Sequence, residues 1–314
     1  MTEFGFIESL RNLFATLPSN GFEGIGDDCA VYGLGNDEAL LFTSDTLNEG
    51  VHFLRTEATP EQVGAKSLMV NLSDIAAMGA RPIATLLALS LPADCPEGWA
   101  ESFIEGYRSV AERYGVPLVG GDTTSSLRGI TINVTAIGRA PESHIKRRSA
   151  ARSGDVIFVG GVLGGSALGL RNILDGDGDT AAAHLHHAPQ AQVAEGEWLG
   201  AQPCVHAMMD LSDGLASDLR HILVASKVGA VVNVEQIPIY EGATIRDAVG
   251  GGEDYMLLFT VERSGVEAMR RQFAERFGYE PYAIGEITES PQPEIEWREK
   301  GKTFYPDWRG FSHF

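Results

Sequence analysis

Thr59-Pro60-Glu61-Gln62-Val63-Gly64-Ala65-Lys66-Ser67-Leu68-Met69-Val70-Asn71-Leu72-Ser73-Asp74-Ile75-Ala76-Ala77-Met78-Gly79 is the best-specified helix in the chain. Thr59 and Gln62 form a T-x-x-Q capping box, and Pro60 suits the first turn. Gly64, Leu68, Leu72, Ile75 and Gly79 share one face at spacings of four, four, three and four, while Ser67, Asn71, Asp74 and Met78 share another. A helix that is apolar on one side and nearly uncharged on the other is buried on both. Asp74 is therefore expected to point into something other than bulk water.

Working outward, apolar runs alternate with helical patterns, which predicts mixed α and β structure. Strands are expected at 39–44, 83–91, 116–119, 130–138, 156–159, 230–234 and 255–261. Helices are expected at 3–15, 60–78, 96–114, 166–174, 191–199, 214–227 and 265–277. The polar, basic segment PESHIKRRSAARSG at 141–154 breaks the pattern and reads as a linker between domains 1–140 and 155–314.

The chain has 314 residues, is 44% hydrophobic and carries a formal charge of -19, which excludes a phosphate-backbone binder and disfavours an anionic membrane surface. Its start lacks the basic, then apolar, pattern of a signal peptide, and Ile83 to Leu91 is too short to span a bilayer. Cys29, Cys95 and Cys204 are widely spaced and read as reduced thiols of a cytoplasmic protein.

Six acidic clusters lie among glycine, hydroxyl and small apolar residues: Asp27-Asp28, Thr43-Ser44-Asp45, Asn71-Leu72-Ser73-Asp74, Gly120-Gly121-Asp122, Asp210-Leu211-Ser212-Asp213 and Gly251-Gly252-Glu253-Asp254. Carboxylates in such surroundings need a partner, and few bases stand beside them. Divalent metal with hard oxygen ligands, and hence phosphate chemistry, answers the need. Four of the clusters also have a plain structural reading: a Gly-Asp turn at Asp27-Asp28, a turn where a strand ends at Thr43–Thr46 and again at Gly120–Thr123, and at Asp210–Asp213 an N-cap, which accounts for only one of those residues. His52 reads more readily as a satisfied polar histidine than as a ligand.

Two other features are discounted. Gly160–Ser166 has the glycine spacing of a phosphate loop but lacks its lysine, so it reads as a strand-to-helix turn. His184, His186 and His187 have no second ligand pair nearby and read as a solvated helix edge or linker. The tail Phe304–Phe311 is expected to anchor the C-terminus by burying its aromatic rings.

In order, GIGDDCA, TSDTLNEGVHF, KSLMVNLSDIAAMGARP, GGDTT, DLSDGLASDL and GGEDY resemble the thiamine-monophosphate kinase family of the AIR-synthase-like superfamily, from about Phe6 to Phe314. Met256 and Ala150 are the few departures. The resemblance implies a two-domain α/β fold of α+β type: an N-terminal αβ domain that dimerises through its sheet and carries ATP, and a C-terminal αβ domain that completes the substrate site. It implies direct, in-line transfer from ATP to thiamine monophosphate with several magnesium ions, room for a monovalent cation, and no covalent nucleophile. It assigns Asp28, Thr43, Ser44, Asp45, Asp74, Asp122, Asp210 and Asp213 to metal. Gly121, Asp122, Arg148 and Ser212 go to ATP, and His52, Glu253 and Trp308 to thiamine phosphate. Asp27 and Asp254 are left to shape turns. Other ATP-dependent members of the superfamily, and a nucleotide-binding regulatory protein without catalysis, are the competing readings.

Overall fold

A computed structural model of the chain describes residues 2–290 and 292–311, so the last three residues of the family resemblance lie outside the described residues. The first half runs α1 (Glu3–Phe14), β1 (Phe22–Glu23), β2 (Ala30–Gly35), β3 (Glu38–Asn48), α2 (Pro60–Ala77), β4 (Arg81–Pro92), α3 (Trp99–Tyr114), β5 (Leu118–Ser126) and β6 (Thr131–Ala140). Its strands form one six-stranded sheet in the order β1-β2-β3-β6-β4-β5, antiparallel except where β4 meets β5.

After two single-turn 3-10 segments, the second half runs β7 (Val156–Val159), α4 (Gly165–Leu174), α5 (Ala181–His187), α6 (Val193–Gly200), β8 (Val205–Asp210) and α7 (Leu215–Ser226). It continues with β9 (Gly229–Asn233), α8 (Ile245–Gly250), β10 (Leu257–Val261), α9 (Val266–Phe277), β11 (Tyr282–Thr288), β12 (Ile295–Glu299) and β13 (Lys302–Phe304). These strands form a seven-stranded sheet, β13-β12-β9-β11-β7-β10-β8, with one parallel pair, β12 and β9. The mainly antiparallel mixture is the α+β form of the expected two-sheet fold.

The helix over 60–77 forms for the reasons its sequence gives. Thr59 Oγ1 accepts from the Gln62 amide at 3.2 Å, and Gln62 Oε1 accepts from the Thr59 amide at 2.8 Å. A cap of this kind contributes about 1 kcal/mol. The remaining stability comes from packing on two sides. Against α3 the backbones touch through glycines: a Cβ on Gly64 would lie 2.0 Å from the Phe103 carbonyl oxygen, and one on Gly106 would lie 1.9 Å from that of Glu61. On another side, Gly196 of α6 admits the Ala76 carbonyl, and the Ser73 hydroxyl donates to Asp210 at the end of β8.

One hydrophobic cluster accordingly spans both halves, joining Leu68, Leu72, Phe103 and Val134 to Phe158, Met208 and Phe259. A helix wedged between two sheets explains a stretch that is apolar on one face and uncharged on the next.

Six strands at 22–23, 30–35, 205–210, 282–288, 295–299 and 302–304 and two helices at 181–187 and 245–250 were not expected from sequence pattern. In most of them the apolar residues are interrupted by His, Gly, Glu or Asp, which hides a strand period.

Candidate active site

A cleft of about 790 Å³ opens where the C-terminal end of β3, the middle of α2, the loops at 24–28 and 212–214, and the glycine loop at 250–253 converge. The 250–253 turn closes against β8: the Glu253 amide donates to the Ser212 carbonyl at 2.8 Å, and a Cβ on Gly252 would lie 2.5 Å from the same oxygen.

Carboxylate oxygens of Asp28, Asp74 and Asp210 lie within 4.8 Å of one another, and Asp28 and Asp74 line the cleft. At that separation each ionised pair repels by about 3 kcal/mol at an effective dielectric of about 20. Burial, then Asp28, pushes Asp210 up to about 7. Burial, then Asp45, Asp210 and Asp28, raises Asp74 well above the usual carboxylate range. Asp45 joins them, pushed up to about 6 by burial and then by Asp28. The hydroxyl of Thr43 donates to Asp74, and the Asp45 amide donates to Asn71 Oδ1 at 3.1 Å.

Strand alternation explains part of this geometry. Thr43 and Asp45 share the face of β3 toward α2, whereas the Ser44 hydroxyl pairs with Asn133 and Thr135 of β6 at 3.3 Å each. Ser44 still borders the cleft. These three residues do not end a strand, as the sequence suggested, because β3 continues to Asn48 through unbroken pairing with β6.

Arg148, from the segment between the sheets, faces the acids with Nη2 2.6 Å from Asp28 Oδ1. Burial acts to lower its pKa, but Asp28 and then Asp27 outweigh that and raise it. Asp27 accepts from the Arg148 amide at 3.2 Å and is pushed up to about 7 by burial and then by Asp28. Ser212 and Asp213 line the cleft beyond Asp210, and Asp213 forms a second acidic group with Asp218 and His221. Asp218 also accepts from the Asp213 and Gly214 amides at 3.1 and 3.0 Å, closing the start of α7.

His52 and Glu253 also line the cleft. Glu253 Oε1 lies 2.8 Å from Lys66 Nζ, and Oε2 lies 3.2 Å from His186 Nδ1. Burial tends to raise the Glu253 pKa, but Lys66 and then His186 bring it below the usual value. Two residues discounted from sequence prove buried here. His186 and His187 line the cleft, and His186 Nδ1 also contacts the Ser166 hydroxyl at 3.0 Å. Only His184 is exposed, beside Asp179 at 3.4 Å. The reading of these histidines as a solvated edge fails because α5 packs on α4 inside the cleft wall.

The remaining expectations divide. Asp254 shapes a turn as anticipated, accepting from the Gly164 and Ser166 amides, so the glycine run 160–166 is a strand-to-helix turn. Gly121 and Asp122 do not end a strand and do not reach the cleft. They lie within exposed edge strand β5, where Asp122 is level with Ala88, Asn133 and, three strands away, Thr46. That separation is roughly 14 Å at the usual strand spacing. Trp308 packs edge-on against Trp297 and Phe304, with ring centroids 4.9 and 5.5 Å away, while Gly310 and Phe311 border the cleft.

Lys66, His186 and His187 were missed because their roles depend on contacts far along the chain. The one available signal was a lysine in a helix otherwise nearly devoid of charge.

Residues 26–140 match the family described as AIR synthase related protein, N-terminal domain, and residues 152–298 match its C-terminal domain. Thiamine-monophosphate kinase of Salmonella typhimurium is 36% identical over 305 residues, covering 93% of this chain and 91% of the relative. The Bacillus subtilis enzyme of the same name is 31% identical over 329 residues, covering 100% of both. A solved structure of AaThiL complexed with AMPPCP and TMP superposes with a TM-score of 0.84 at 32% identity, covering 100% of this chain and 97% of that one. The hydrogenase maturation protein HypE of E. coli, at 18% identity and a TM-score of 0.72, covers 95% of this chain and 97% of its own, and shares the fold.

Proposed function

The chain belongs to the thiamine-monophosphate kinase family, and from that footing we propose that its cleft moves the γ-phosphoryl group of ATP onto thiamine monophosphate, giving thiamine diphosphate and ADP. The observation that carries the reading is the convergence of Asp28, Asp74 and Asp210 beside Arg148 at a cleft that Glu253 and His52 also line.

Three acids facing one guanidinium leave uncompensated negative charge, and the raised carboxyl pKa values of Asp74 and Asp210 express it. Hard carboxylate and hydroxyl oxygens of this kind fit magnesium. Asp28, Thr43, Asp45, Asp74 and Asp210 would hold it, with Ser44 and Asp213 at the margins. Bound magnesium would offset charge on the transferring phosphoryl group, which is most of what such a transfer requires. The chain's own part is positioning. Arg148 and Ser212 steady ATP, while His52 and Glu253 orient the acceptor so that its phosphate oxygen lies in line with the γ-phosphorus. No side chain needs to accept the phosphoryl group covalently.

A negative wall suits the cationic thiazolium of the acceptor. Trp308 serves that end of the site only if the tail shifts, because its indole lies against Trp297 and Phe304. Asp122 and Gly121 lie on exposed edge strand β5, outside the cleft, and a homodimer formed through the six-stranded sheet would bring them to a neighbouring site. Among the described residues no helix is long and apolar enough to cross a membrane. The three free cysteines support a cytoplasmic location.

An ADP-release assay offering thiamine monophosphate, thiamine and an aminoimidazole-ribotide precursor side by side tests the substrate. Release with thiamine monophosphate and magnesium is expected. Release only with free thiamine or the ribotide overturns the reading.

A further inference from the structure

Lys66 is buried to 3% exposure in the middle of α2, yet it does not line the cleft. Its ammonium group donates to the His52 carbonyl at 3.1 Å and lies 2.8 Å from Glu253 Oε1. One nitrogen thus ties the loop after β3 to the glycine loop before β10. Those are the two loops that carry His52 and Glu253.

The glycine loop has reason to need such a tether. Residues 251–256 have no regular secondary structure, and both Glu253 and Tyr255 adopt left-handed backbone conformations, φ +64° and +51°. Side chains other than glycine rarely hold that region unless their surroundings enforce it. The backbone is pinned by bonds from the Glu253 and Tyr255 amides to Ser212 and Leu211. Those bonds do not fix the direction of the carboxylate. Lys66 grips one oxygen and His186 the other, at 2.8 and 3.2 Å. An ionised carboxylate only accepts, so the His186 contact puts the proton on Nδ1. Ser166 beside the same nitrogen, at 3.0 Å, fixes the ring in turn.

We propose that Lys66 is a positioning residue for the acceptor substrate: anchored on the His52 carbonyl, it holds the Glu253 carboxylate in its binding geometry from behind the cleft wall. This rests on the reading that Glu253 contacts thiamine monophosphate. Lys66 touches neither substrate. Without its cation the carboxylate stands buried against a neutral imidazole, where it takes up a proton or turns away. The loss falls on the acceptor and spares ATP, whose proposed contacts lie with Arg148 and Ser212.

Steady-state kinetics on Lys66→Met, Glu253→Gln and the double variant, each magnesium-loaded, tests the proposal. Glu253→Gln and Lys66→Met should each raise KM for thiamine monophosphate by about tenfold or more, the scale of losing a hydrogen bond to a charged group, with KM for ATP unchanged. The double variant leaves no charge unpaired, so it folds even if Lys66→Met does not. Its KM should equal that of Glu253→Gln alone, because both changes remove one interaction. A further rise in the double variant overturns the proposal, as does a Lys66→Met enzyme with normal KM or with both substrates equally affected. A normal KM in Glu253→Gln instead overturns the assignment of Glu253.

Discussion

Arg148 reaches Asp28 across 120 positions of sequence, with Nη2 2.6 Å from a carboxylate oxygen whose side chain is only 2% exposed. This contact sets one positive charge against the acids Asp28, Asp74 and Asp210, and it joins the segment between the two sheets to the first glycine loop. The site is built with a deficit of positive charge, and most of its expected behaviour follows from that deficit.

Asp74→Asn removes one of the repelling carboxylates and one proposed metal ligand together. Turnover should fall by at least about a hundredfold, as for loss of a major electrostatic element. The melting temperature in metal-free buffer should stay level or rise. Magnesium-dependent activity near that of the unmodified enzyme would sink the metal assignment.

Arg148→Met leaves Asp27 and Asp28 facing each other without their guanidinium. Breaking such a pair from one side costs about 3 kcal/mol. Urea unfolding without magnesium should show a loss of that order, and KM for ATP should rise. An unchanged midpoint would mean that the pair contributes little to folding.

The acids also fix the direction of the pH response. Asp27 and Asp210 titrate near 7 and Asp45 near 6 when folded, above an unfolded value of 3.8. The folded protein therefore binds more protons than the unfolded chain between those limits, and stability falls as pH rises through that window. Metal-free protein should melt at a higher temperature near pH 5 than near pH 7.5, with these acids as the cause. Magnesium should raise the melting temperature more at pH 7.5 than at pH 5. Thermal scans at the two pH values, with and without magnesium, decide it.

Asp122 lies on the exposed edge strand, three strands from Thr46, and the proposed homodimer would bring it to the cleft of a second chain. In the proposed homodimer, Asp74→Asn and Asp122→Asn should each abolish activity. Co-expressed as a mixed dimer, they should regain up to about half the activity per site pair, since one of two sites is then intact. Mixed dimers as inactive as either parent would place Asp122 outside the neighbouring site.

Gly64→Ala tests the helix contact that carries the site. The added Cβ would sit 2.0 Å from a backbone oxygen that has no rotamer to escape into. A loss of about 3 kcal/mol in unfolding free energy is expected, at the upper end for overpacking. A change below the error of the measurement would show that α2 and α3 slide apart freely.

Much of the fold was legible in the chain because its signals are local. Thr59, Pro60 and Gln62 lie within four residues of one another, and the structure forms the capping box they spell. The uncharged face of α2 correctly announced burial on both sides. Strand β8 was harder to see: Val-His-Ala-Met-Met-Asp lacks the β-branched run that marks a strand, and its burial comes from β10 alongside it. The histidines of α5 misled for a related reason. His186 and His187 look solvated beside Ala and Leu, yet both are buried in the cleft wall, where His186 meets the distant Ser166 and Glu253.

By itself the sequence determined the helix that bears Asp74, the two mixed α and β halves, and the excess of acids over bases near the glycine turns. These follow from short-range preferences and from composition, neither of which needs the chain to be folded. Tertiary structure alone decided which acids share a charge: Asp28, Asp74 and Asp210 come together, whereas Asp122 goes to an edge and Trp308 to a hydrophobic cluster. It also decided that Lys66 answers Glu253. Electrostatic coupling depends on separation and burial in space, and residues 187 positions apart acquire both only when α2 is wedged between the two sheets.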